Sequence, residues 1–197
     1  MQKIIITIAV ALVVTSTVFA QNDAKNYVEL RGSKEYQYAD YTRNIIGKLV
    51  GEVTFIRVPG QKQILAGLGC SVKNGDIGST NFMLYGVGGS NGQVGVMAAV
   101  VPSIQKGKLK SSAFLGWFVP ARGQVQTYLV LDTWDTTLSI TKRIDVGSSI
   151  GFFLQEGKLN PQYGPMAKLN LDKWGSWAVS YRVGTGRELR FSRTFTF

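Results

Sequence analysis

From Ser176 to the last residue, Phe197, apolar and polar side chains alternate almost residue by residue. A chain that changes face at every step can satisfy both solvents only in an extended conformation. Trp177, Val179, Tyr181 and Val183 fall on one side, with Ala178, Ser180 and Arg182 on the other. Beyond Gly184-Thr185-Gly186-Arg187, a turn, Leu189, Phe191, Phe195 and Phe197 oppose Arg190, Ser192, Thr194 and Thr196. The segment is a hairpin, dry on one face and wet on the other, and the same rhythm runs back to Tyr27. After the first twenty residues no amphipathic helical pattern and no repeat of 20 to 50 residues interrupts it.

The rhythm predicts strands over 27–35, 48–58, 63–73, 80–88, 94–104, 110–119, 125–131, 136–143, 146–155 and 165–172, followed by the two of the last hairpin. Polar stretches at 36–47 and 156–164 read as long loops. Pro59-Gly60-Gln61-Lys62, Asn74-Gly75-Asp76, Gly89-Ser90-Asn91-Gly92, Pro120-Ala121-Arg122-Gly123 and Asp132-Thr133-Trp134-Asp135 read as turns. Glycine is 23 of 197 residues, and Gly67, Gly69, Gly86, Gly88, Gly95, Gly116 and Gly151 lie between apolar neighbours inside strands. Glycine weakens a flat strand but suits a sheet that curls until it closes. The chain is therefore expected to be all-β, a single closed antiparallel up-and-down barrel over 21–197 with about twelve strands, ten being the lower alternative.

Alternation leaves open which face meets water. A soluble barrel buries its apolar side, whereas a membrane barrel turns it to lipid. The ending Phe191-Ser192-Arg193-Thr194-Phe195-Thr196-Phe197, with a terminal Phe and aromatics at alternate positions, resembles the closing strand of bacterial outer-membrane β-barrel proteins. The resemblance implies a transmembrane barrel in the bacterial outer membrane, surrounded by its lipid, with Phe197 at the periplasmic rim and the last strand read by the barrel-assembly machinery. Counting back from that rim places 36–47 and 156–164 outside the cell, and the turns at Pro59, Gly89 and Ala121 on the periplasmic side. Arg193 then shares the lipid face with Phe195. It must snorkel to the headgroups or be turned inward by a bulge between Phe191 and Phe195, and the bulge is the expectation.

Residues 1–20 have the layout of a secretory signal peptide: Lys3 in a basic start, an apolar core from Ile4 to Val14, and Val18-Phe19-Ala20 before a cleavage expected ahead of Gln21. The 22 Lys plus Arg against 12 Asp plus Glu give a net charge of +10, of which Lys3 alone lies in the leader, leaving +9 beyond it. With an export signal and no clustered basic stripe, this charge points to anionic lipid or anionic solutes, not nucleic acid. One cysteine, Cys70, permits no internal disulfide, and its step with Ala66, Leu68 and Val72 makes it a small apolar side chain on the outer face.

No histidine occurs, so Ser-His and His-zinc chemistry are excluded, and a lone cysteine builds no thiolate metal site. Neither an enzyme nor a cofactor is expected. What faces inward should carry the function. Strand phase assigns Glu29, Arg31, Glu52, Lys73, Lys168, Asp172, Arg182 and Arg190 to the lining of a pore, and Trp174, Trp177, Tyr181, Phe195 and Phe197 to an interfacial girdle, with Trp117, Phe118, Phe152 and Phe153 at strand ends or on the outer face. Such a bore carries more base than acid. The expected function is a porin-like channel for small solutes, with a lean toward anions. Small twelve-stranded porins with basic bores that pass acidic oligosaccharides are similar in size and pattern. The alternatives are a soluble secreted or periplasmic barrel binding an apolar ligand, and an outer-membrane barrel with a plugged interior.

Overall fold

The computed structural model describes residues 26–197 except 35, 91, 123–125 and the side chain of Lys173. The expected leader and its cleavage site lie outside the described residues. Twelve strands follow in order: β1 (Asn26–Gly32), β2 (Gln37–Asn44), β3 (Leu49–Val58), β4 (Gln61–Lys73), β5 (Gly78–Gly89), β6 (Val94–Lys106), β7 (Leu109–Arg122), β8 (Tyr128–Ser139), β9 (Ile144–Gln155), β10 (Lys158–Asn170), β11 (Ser176–Gly184) and β12 (Glu188–Thr196). Each pairs antiparallel with its neighbours, and β1 pairs with β12, which closes the barrel. At the seam Val28 faces Phe195, and Asn26 and Phe197 exchange backbone hydrogen bonds of 2.8 and 3.0 Å.

The strand number agrees with expectation while three assignments do not. The polar stretch 36–47 is mostly strand β2, because Tyr38, Asp40 and Thr42 line the interior, where polar groups are at home. Conversely, 125–131 and 136–143 are not two strands. Asp132-Thr133-Trp134-Asp135 is no turn but lies inside β8, at a break in register. The stretch 156–164 is largely β10, so neither long loop exists, and 171–175 and 123–127, of five residues each, are the longest connections. With β2 inserted, the turns after β3, β5 and β7 move to the end opposite the chain termini, together with those after β1 and β9. This corrects the side expected for the turns at Pro59, Gly89 and Ala121.

The wall is inverted relative to a soluble protein. Leu84 is 60 % exposed, Trp117 56 % and Trp134 50 %, and every strand except β2 turns at least one large apolar side chain outward. Soluble monomers rarely expose more than a few hundred Å² of continuous apolar surface, and here it encircles the barrel. Arg182, Asp145, Asp40 and Ser149 are buried inside. A soluble barrel with an apolar interior and a wet exterior is thereby overturned. No helix among the described residues is long and apolar enough to cross a membrane.

Arg193 shows how the outer face tolerates a charge. No bulge interrupts β12 there: Leu30, Trp177 and Arg193 share one row, and Val28–Phe195 pairing continues in register. The expected inward turn is therefore absent. Instead the guanidinium lies over the rings of Phe195 at 4.3 Å and Trp177 at 5.1 Å, and donates to the carbonyls of Trp174 at 2.8 Å and Thr194 at 3.2 Å. Ring faces and carbonyls replace water around the cation. Arg193→Ala is expected to lower stability by about 1–2 kcal/mol, and Arg193→Lys by less, in urea titrations of the vesicle-inserted protein.

A candidate passage through the barrel

The interior has two chemically distinct halves. Along β3 to β8 the inner residues Val50, Leu65, Met83, Tyr85, Met97 and Phe118 form a packed apolar cluster, extended by Phe118, Tyr128 and Phe153 with ring centroids 4.7 and 4.8 Å apart. Phe118 and Phe153 thus face inward, contrary to their expected place at the surface, and Tyr85 and Phe118 are fully buried. They fit because the facing positions are bare. A Cβ on Gly67 would come within 2.4 Å of the Tyr85 ring, and one on Gly95 within 2.5 Å of the Phe118 ring.

The other half is charged. On β1, Glu29 and Arg31 are two residues apart and so share the inner face, paired at 2.7 Å. Arg31 also reaches across the bore to Asp132 on β8 at 2.5 Å and stacks 4.6 Å over Tyr38. On β12, Arg190 pairs with Glu188 at 3.1 Å, lies 3.6 Å from Asp132, and stacks 4.6 Å over Tyr36. On β11, Arg182, 1 % exposed, donates to Ser149 through Nε at 3.1 Å and through Nη2, and through Nη1 to the backbone oxygen of Asp132 at 3.1 Å. Ser149 in turn donates a hydrogen bond to Asp135, which lies 3.8 Å from Arg182.

Asp132 meets these arginines because it is an extra residue. Thr133 pairs with Phe114 and Leu131 with Leu115 on β7, and toward β9 the register breaks between Leu131 and Trp134. A bulge of this kind leaves one residue out of the ladder and re-aims its side chain. Nearer the terminal end, Asp145 accepts from Lys110 at 2.9 Å, Ser139 at 2.7 Å and Asn170 at 3.0 Å. Near β2, Asp40 accepts from Thr42 and Thr54 at 2.9 and 2.8 Å, and Thr54 lies 3.2 Å from Glu52.

Open space narrows along the bore. A cavity of about 970 Å³ at the mouth opposite the termini is lined by Lys34, Tyr36, Gln162, Arg187 and Arg190. Deeper lies one of about 320 Å³, among Asp132, Gly151, Asn160, Thr185, Arg182 and Arg190. Beyond the arginines, between Glu29, Arg31, Asp135, Ser149 and Ser180, lies a small pocket of about 20 Å³, room for one water.

The structure gathers four of the eight residues assigned to a pore in one place: Glu29, Arg31, Arg182 and Arg190. Glu52 is buried inside beside Asp40, in a separate group. Lys168 is half-buried on the inner face, in register with Asp145. Lys73 has inward phase but ends β4, so it is exposed at the rim. Asp172 is not in a strand: it sits in the exposed turn between β10 and β11, with φ of 46°. Of the girdle residues, Trp174, Trp177, Phe195 and Phe197 are exposed on the outside near the terminal end, whereas Tyr181 lies four residues, about 13 Å, further up β11. Sequence phase missed Asp132, Asp135, Asp40, Asp145 and Lys110. The first two were hidden by the bulge and Asp40 by a strand that reads as loop. With them included, acids balance bases at mid-depth, and the expected excess of base is not found there. Among the described residues no cluster of three or more His, Cys, Asp or Glu could hold a metal.

No protein-family model matches the sequence and no curated protein does. Solved structures do. A KdgM porin superposes at a TM-score of 0.64 with 10 % identity, covering 88 % of this chain and 99 % of its own. A KdgM porin in complex with disordered oligogalacturonate reaches 0.59 at 11 %, and a NanC porin 0.56 at 11 %, each covering 88 % of this chain and 98 % of theirs. With sequences this far apart the likeness is one of architecture, and the fold of this chain is that of the KdgM and NanC porins.

Proposed function

We propose that the chain is a porin-like barrel of the bacterial outer membrane that passes small solutes, with a lean toward anions set at its two mouths. The observation that carries this reading is the inverted wall, apolar around the outside and lined by ion pairs within. The shared fold supports it, as does the oligogalacturonate in one of the KdgM structures. Residues 1–20 would supply export, and β12, ending on Phe197, the signal for barrel assembly.

The lean is a property of the ends. Among the described residues, around the mouth opposite the termini stand exposed Lys34, Lys62, Arg122, Lys158 and Arg187 against Glu156, and at the other end Lys48, Lys73, Lys106, Lys108, Lys142 and Arg143 against Asp76 and Asp172. Basic mouths concentrate anions at the entrance even where the middle is balanced. The test is conductance of the refolded protein in a planar bilayer under a KCl gradient. Discrete steps with a mild chloride preference are expected, and Lys158→Glu with Arg187→Glu should reduce that preference about two-fold. Absence of any step in the wild type and in bore-widening variants would refute a passage. A plugged structural barrel is the second reading, favoured by the ion pairs of Asp132 that cross the bore to Arg31 and Arg190.

A further inference from the structure

We infer that Asp132 is the removable closure of the bore, a built-in counter-anion seated where a passing anion must go; this rests on the reading of a passage. Three observations converge. The first is topological. Asp132 is the unpaired residue of a bulge, which re-aims its carboxylate into the bore. The partners of its carboxylate come from the opposite wall, from β1 and β12, the two strands of the seam, while Arg182 on β11 donates to its backbone oxygen. One side chain on β8 thereby ties the two sides of the cylinder together.

The second is an incomplete contact. Nη1 of Arg190 is buried and has no hydrogen-bond partner, and the carboxylate of Asp132 stands off from it at 3.6 Å. A buried charged donor left short of an acceptor is costly, so the arrangement favours any anion that could approach more closely. The third is position. Asp132 and Arg190 both line the 320 Å³ cavity toward the mouth, and Arg190 also lines the 20 Å³ pocket below it. An anion entering from that mouth meets Arg190 and Arg182 first, competes with the Asp132 carboxylate for Arg190, and on displacing it gains the way through.

The same residue then sets both aperture and preference. With Asp132 in place, three guanidinium groups are offset by Glu29, Glu188, Asp135 and Asp132 itself. Without it, three carboxylates remain against three guanidinium groups, so this level changes from a net charge of −1 to neutral and loses the strut that spans it.

The test compares the full refolded chain with Asp132→Asn and Asp132→Ala in planar bilayers, with KCl and then sodium gluconate as the probe electrolytes. Asp132→Asn keeps the side chain's size and removes its charge, and should raise the chloride-to-potassium permeability ratio about three-fold. Asp132→Ala should do the same and also raise unit conductance roughly two-fold. Should the exposed arginines prevent Asp132→Ala from folding, Asp132→Ala with Arg31→Ala relieves the repulsion and should still raise conductance. A silent wild type beside a conducting Asp132→Ala supports the closure. A conducting wild type indistinguishable from all three variants overturns it while leaving the passage intact, and silence of every protein overturns both.

Discussion

Leu84→Arg is expected to keep the chain out of the bilayer. Leu84 stands mid-way along β5, 60 % exposed, with Phe82 and Gly86 beside it on the outer face and nothing polar nearby to receive a charge. A lipid-facing arginine at the midplane costs roughly 2–4 kcal/mol. This differs from Arg193, where Trp177, Phe195 and two carbonyls surround the cation close to the terminal turn. Insertion would be followed by refolding into lipid vesicles, reading the fraction that migrates as compact barrel on an unheated gel. Asn160→Lys makes the companion, because its side chain lines the 320 Å³ polar cavity and the new charge stays solvated. It should insert as the wild type does. If Leu84→Arg inserted equally well, the outer wall would not be the lipid face.

A methyl group is expected to do comparable damage inside. Gly95→Ala would put a Cβ 2.5 Å from both a Phe118 ring carbon and the backbone oxygen of Val119, and Gly67→Ala one 2.4 Å from Tyr85 and 2.7 Å from the oxygen of Leu84. Rings can turn, but the backbone oxygens belong to the neighbouring strands, so relief requires the sheet itself to move. Overpacking of this kind costs about 1–3 kcal/mol. Gly86→Ala is the contrast: its Cβ would point outward and meet nothing nearer than 3.9 Å. Urea midpoints of the inserted barrels should therefore fall for Gly95→Ala and Gly67→Ala and stay within experimental error for Gly86→Ala. Equal midpoints for all three would mean that the aromatic cluster is not tightly packed.

These two expectations rest on features of unequal visibility in the sequence. The barrel is legible because alternation is strong wherever one side of a strand is wet and the other dry, as in β11 and β12, while the direction of its outer face is carried by the Phe-terminated ending and not by alternation. It fades where both sides have the same character. On β5 and β6 the inner residues Tyr85, Met97 and Ala99 are as apolar as the outer Leu84, Val96 and Val100, so no pattern tells the packed half of the interior from lipid. On β2 the polarity of Asp40 and Thr42 reads as loop when the chain is seen alone. In β10, Pro161 and Pro165 suggest a break. The strand holds because Pro161 offers its carbonyl to Thr185, and Pro165 falls where pairing to β11 lapses between Tyr163 and Met166. The bulge at Asp132 shifts the phase of β8 mid-strand and makes one strand look like two. One strand overlooked and one divided leave the total at twelve, so the agreement in number hides two compensating misreadings.

The ion pairs at mid-bore were half legible. Arg31, Arg182 and Arg190 follow from strand phase, but their partners Asp132 and Asp135 lie on the strand whose phase is broken. Reach across a cylinder is a property of closure, and no local pattern encodes it.

The seam between β1 and β12 has a kinetic consequence. Every other ladder joins strands adjacent in the chain and can zip up hairpin by hairpin, but this one unites segments some 165 residues apart along it. Until Phe195 finds Val28, the sheet is an open ribbon with two free edges, each ready to pair with another chain. Shutting the cylinder is thus an all-or-nothing event that waits for the final strand, and any cut within β12 should yield sticky sheets instead of a smaller barrel.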